Sequence, residues 1–152
     1  MYTRQQASLL KQAFWTAFGQ YMSPVPGADG TKVHWINYKT GVRHIQFSLQ
    51  AEQGRTRVAI ELTHPDPAQQ ALFYQQFEAL RTLLQESTGT NWQWALHSQD
   101  AYGKVTSLIY EEVSGLSVFN KADWPALISF FKEKIMGLDA FWHEARPIFE
   151  ML

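Results

Sequence analysis

The feature that most constrains this chain is a two-residue alternation running from His44 to Thr63. Ile45, Phe47 and Leu49 alternate with His44, Gln46, Ser48 and Gln50. After Gln53-Gly54 the pattern resumes, with Val58, Ile60 and Leu62 against Arg57, Ala59 and Glu61. Side chains on a strand point to opposite faces in turn, so this pattern predicts two antiparallel strands, His44–Glu52 and Thr56–Thr63, with one greasy face and one wet face. An apolar layer must then come from elsewhere to cover the greasy face.

The helical stripes supply it. Leu10, Phe14, Ala17 and Tyr21 recur at helical spacing over Arg4–Met22, and Thr3 with Gln6 fits a capping box. Asp66-Pro67 opens a second helix, since proline at the first helical position loses no needed N–H. Phe73, Phe77, Leu80 and Leu84 form its inner stripe, and Gly89 stops it. A third helix starts near Asn120 to Asp123, carries Leu127, Phe131, Ile135, Leu138, Phe141 and Trp142, and is limited by Pro147. Val33–Tyr38, Trp92–His97 and Val105–Glu112 read as further strands. The expected fold is α+β: a mainly antiparallel sheet of about five strands with three helices on one face, in the order αβββαββα. No linker or charge run divides residues 1–152, so one domain is expected.

Composition removes several functions. The absence of cysteine excludes disulfides, zinc–thiolate sites and thiol nucleophiles. With 13 basic and 14 acidic residues, the chain lacks the basic excess of a free-standing nucleic-acid binder. There is no P-loop, no dinucleotide fingerprint and no G-x-S-x-G elbow. Glu61 is followed by Leu62 and Thr63, so the acid-x-lysine of a restriction-nuclease core is missing there. No apolar run approaches a membrane span, and the N-terminus lacks a signal-peptide pattern, so a cytoplasmic address is expected.

Three places could carry function. Glu61 and His64 lead into the Asp66 cap of the second helix, where free N–H groups could hold an anion; the plainer reading is a cap and a shaped turn. The polar sheet face would gather His44, Arg57 and Glu61, with His97 and Tyr110 joining according to register; the plainer reading is a solvated face. A metal at His44, Glu61 and His97 would require three strands to align, and the histidine spacing offers no metal motif, so no metal and no cofactor are expected. Last, Tyr2, Trp15, Trp35, Trp142 and Phe149 are either core or an aromatic contact surface, which would favour a homodimer or a docking module.

Thr3-Arg4-Gln5 through Phe14-Trp15, the strand Val58-Ala59-Ile60-Glu61-Leu62 and the late Asp123-Trp124-Pro125-Ala126-Leu127-Ile128 resemble a bacterial and archaeal family of domains of unknown function, most closely its single-domain form of the Bacteroidetes type. The resemblance covers nearly the whole chain. Relatives lie C-terminal to restriction-endonuclease-like domains, which implies a link to DNA processing or defence. The family lends no catalytic residues. The expectation is a non-enzymatic accessory or interaction module with a protein or nucleic-acid partner. The alternative is a small-molecule binder or enzyme using Glu61 and His64 at the sheet edge, helped by Arg57 and His97.

Overall fold

A computed structural model describes residues 2–52 and 54–152. Helix α1 (Arg4–Met22) begins at the expected capping box: the Thr3 hydroxyl accepts from the Gln6 N–H at 3.1 Å, and the Gln6 side chain accepts from the Thr3 N–H at 2.9 Å. Strands β1 (Ile45–Glu52) and β2 (Arg55–Leu62) form the expected hairpin, with Ile45 opposite Leu62 and Glu52 opposite Arg55. Gln53, half of the expected turn, lies outside the described residues; Gly54 takes the positive φ of 74°. Asp66 caps α2 (Pro67–Ala79) by accepting from the Ala68 N–H at 2.9 Å. Then come α3 (Arg81–Thr88), β3 (Gln93–Gln99), β4 (Val105–Ser114) and α4 (Trp124–Glu150). All strand pairs are antiparallel and the sheet order is β1-β2-β4-β3.

Four expectations need correction. The sheet has four strands among the described residues, not five, because Val33–Tyr38 is an irregular segment. Its residues have strand propensity, but they serve as anchors: Trp35 is buried with its indole N–H donated to the Val25 carbonyl, and Tyr38 donates to Asp139. The second helix is two helices, α2 and α3, so the described chain has four α-helices and the order αββααββα. At Leu80 the backbone leaves the helical region (φ −103°, ψ 18°). The turn lets α3 lie on α4, where Gly137 sits so close that an added Cβ would be 2.8 Å from the Ser87 carbonyl oxygen. Finally, α4 runs through Pro147 to Glu150. Proline removes one bond, to the His143 carbonyl, and His143 is an exposed position where water can replace it.

One apolar core joins all these elements. Ile45, Phe47, Val58, Ile60, Leu62 and Ile109 point inward from the sheet; Phe73 and Phe77 of α2 and Phe131, Ile135, Leu138 and Phe141 of α4 meet them. Phe77, Trp142 and Phe149 pack ring against ring, with centroids 4.4 Å apart for Phe77–Phe149 and 5.2 Å for Trp142–Phe149. Trp35, Trp142 and Phe149 are buried, Trp15 is half-buried against the core, and Tyr2 stays exposed. The aromatic surplus is therefore mostly interior, and it no longer argues for a homodimer.

Candidate functional site

The helices take one face of the sheet, which leaves the other to water. Parity decides what that face shows. The register sets Glu61 of β2 between Gln46 of β1 and Leu108 of β4. Ala59 lies between Ser48 and Tyr110, and Arg57 between Gln50 and Glu112. Ala59 is the small residue in the middle, so its larger neighbours surround a dip. Two hollows of about 300 Å³ and 280 Å³ open there, and both are lined by Arg57 and Leu108.

Arg57 is held in place on this face. Its Nη2 is 3.2 Å from Glu112 Oε1, and its guanidinium carbon lies 4.5 Å from the centre of the Tyr110 ring. A carboxylate and an aromatic face together restrict a side chain that would otherwise lose much rotamer entropy on binding. Arg55 reaches the same carboxylate at 4.0 Å. The surface mixes both signs, with Arg57 and Lys104 near Glu61 and Asp100. Such a surface offers fixed donors, acceptors and one aromatic ring. It offers no nucleophile paired with a base, and no three metal-ligating side chains come together among the described residues.

The five residues picked out from the sequence do not converge. Arg57 and Glu61 share the open face and line the same hollow. They are not at an edge, since β2 is an inner strand. His44 and His64 meet at the end of the β1–β2 pair, with ring centroids 4.5 Å apart. His44 adopts φ 68°, and its carbonyl accepts from the Thr63 N–H at 2.9 Å. His64 Nδ1 accepts from the Asp66 N–H at 3.0 Å, so this ring shapes the entry to α2. His97 leaves the group. A bulge between Ala95 and Ser98 puts two residues opposite one, and His97 has φ 53°. Its N–H donates to Ser107 Oγ at 3.0 Å, and its Nε2 lies 3.0 Å from the Pro67 carbonyl oxygen, on the helix side.

The histidine pair has a pH consequence. Desolvation lowers the His44 pKa first, and the charges of His64, Arg43 and Lys104 lower it further. With the folded value below the unfolded one, the unfolded chain binds more protons as pH drops from the ordinary histidine value toward the lowered one. Stability is therefore lost on acidification through that window. His44→Asn tolerates the same positive φ, and its stability difference from wild type should shrink as pH falls from 7 to 5. Urea unfolding at several pH values reads this, and a pH-independent difference would count against it.

Residues that spacing did not suggest also form a hollow. The segment between α1 and β1 walls a cleft with Lys32, Lys39, Tyr38, Asp139 and Arg146. The sequence offered no usable signal for it, because Val33–Tyr38 reads as a strand.

No match to the chain was found among curated proteins or among solved structures. A family described as a domain of unknown function (DUF4268) matches residues 10–146, which takes in every strand and all but the ends of the first and last helices. The chain belongs to that family of domains.

Proposed function

We propose that the chain is a non-enzymatic interaction module that docks a folded protein partner on the open face of its sheet. The observation that carries this is the one-sided packing, which leaves Arg57 fixed between Tyr110 and Glu112 in a solvent-facing surface. Arginine and tyrosine are the residue types that most often dominate binding energy at protein interfaces. The alternating charges favour a protein over a nucleic acid, whose phosphates call for a one-sign basic surface. The resemblance to domains found behind restriction-endonuclease-like domains directs the search for the partner to DNA-processing or defence proteins.

The test compares wild type with an Arg57→Glu, Tyr110→Ala double variant as bait in native-host extracts. Both baits must first show cooperative melting. A protein retained by wild type and depleted roughly tenfold or more by the double variant, a loss of at least 1.4 kcal/mol, is the expected result. Equal retention by both would overturn the assignment of this face. So would salt-sensitive DNA binding with no retained protein, or a stable dimer of the isolated chain that the double variant dissolves.

A further inference from the structure

The residues joining α1 to β1, Ser23 to His44, contain no helix and no strand beyond an isolated bridge between Pro26 and Lys32. They are nonetheless pinned along their length. Both oxygens of the buried Asp139 on α4 are used: Oδ2 accepts from the Ala28 N–H at 2.7 Å and Oδ1 from the Tyr38 hydroxyl at 2.5 Å. Trp142 donates its indole N–H to the Thr40 carbonyl at 2.7 Å, and Thr40 Oγ1 donates to the Ile45 carbonyl at 2.8 Å. An irregular segment of this length, held rigid, is more often a working surface than a connector.

The segment walls two adjoining hollows that share Lys32, Val33, His34 and Lys39. The first, about 490 Å³, runs along the last turn of α1 and is floored by Met22, Val33, Trp35 and Ile36. The second, about 320 Å³, faces α4 and is edged by His143 and Arg146. Each has the volume of a small-molecule site. The two hollows differ in charge. The second carries Asp29, Asp139 and Glu150 against Lys32, Lys39 and Arg146, with Glu150 3.3 Å from Arg146. The first is lined by Lys32 and Lys39 and by no carboxylate. Lys32 and Lys39 make no ion pair among the described residues. Arg146 lies against Gly41: a Cβ there would be 2.5 Å from Arg146 Nη2, so the glycine makes room for the guanidinium.

We propose that the first hollow binds a small organic anion. Its apolar body would lie on Trp35 and Ile36, and its charged group would face Lys32 and Lys39. The site is separate from the open sheet face and does not depend on that face being used. Burial and the bond to Asp139 push the Tyr38 hydroxyl above the usual phenol range, so it stays a neutral donor that holds the wall in place.

The probe is 8-anilinonaphthalene-1-sulfonate, an anion on an aromatic body, titrated by fluorescence into the folded chain at low salt. Saturable binding of one molecule per chain is expected. Lys32→Gln with Lys39→Gln, both exposed, should weaken it roughly tenfold without changing the melting curve. Ile36→Glu should abolish it by charging the apolar floor. Phenyl phosphate should displace the probe, and neutral phenol at equal concentration should not. No saturable binding, unchanged affinity in the lysine pair, or equal displacement by phenol would each overturn the proposal. Arg57→Ala, on the sheet face, should leave the affinity unchanged.

Discussion

Replacing Glu111 with alanine is expected to destabilise the fold by about 2–3 kcal/mol, less than the cost of stranding a fully buried ion pair, because Lys134 is nearly buried but the Glu111 side chain is 27% exposed. Glu111 points inward from β4, opposite Val58 of β2. Its Oε2 lies 3.2 Å from Lys134 Nζ of α4 and accepts from the Thr90 hydroxyl at 3.0 Å. Lys134 also contacts Thr90 Oγ1, and its side chain is only 9% exposed. Without the glutamate the ammonium keeps Glu133 at 3.7 Å, a residue 68% exposed and therefore a weak substitute. Replacing both members tests the same physics with the opposite sign. Glu111→Leu with Lys134→Met removes both desolvation costs and should fall within about 1 kcal/mol of wild type, or above it. Urea denaturation measures both. A single variant costing less than about 1 kcal/mol would show that the pair is not buried as described.

Asp139→Ala should have a comparable effect, about 3 kcal/mol, because it removes two hydrogen bonds to a charged acceptor and leaves the Ala28 N–H and the Tyr38 hydroxyl without it. The loss should be local first. Trypsin should cut after Lys32 and Lys39 faster in the variant than in wild type under native conditions, since the α1–β1 segment loses its tie to α4. Asp139→Asn keeps one acceptor oxygen and should cost roughly half as much. Equal cleavage rates in wild type and Asp139→Ala would mean that the segment is held by Trp35 and Trp142 alone.

The sequence made the regular parts legible because they rest on local chemistry. The Thr3–Gln6 box, the Asp66-Pro67 helix start, the Gly89 stop and the alternation over Ile45–Leu62 are each specified within a few neighbouring residues. The errors lie where distant contacts overrode them. Val33–Tyr38 has strand-forming residues but no strand to pair with, and Asp139 recruits Tyr38 from 101 positions away. The break at Leu80 carries no glycine or proline; it follows from α3 settling on Gly137. The bulge at Leu96–His97 reverses parity, which is why His97 faces Pro67 and not Arg57. Of the candidate residues, Arg57 and Glu61 fell together because they are four residues apart on β2 and so share a face, with β1 and β4 on either side. The lysine-rimmed hollow joins Met22 of α1 to Ile36 and Lys39 of the irregular segment, and no spacing rule predicts that.

The chain has no cysteine, so a single introduced thiol can report which sheet face is free. Gln50 and Ala51 are consecutive on β1, the first exposed and the second buried. In the folded chain, Gln50→Cys should react with a thiol reagent nearly as fast as the unfolded protein, and Ala51→Cys should react slower by on the order of a thousandfold, limited by opening. If both thiols are protected alike, or if Ala51→Cys is the faster, helices do not cover only one side and Arg57 has no open surface to work from.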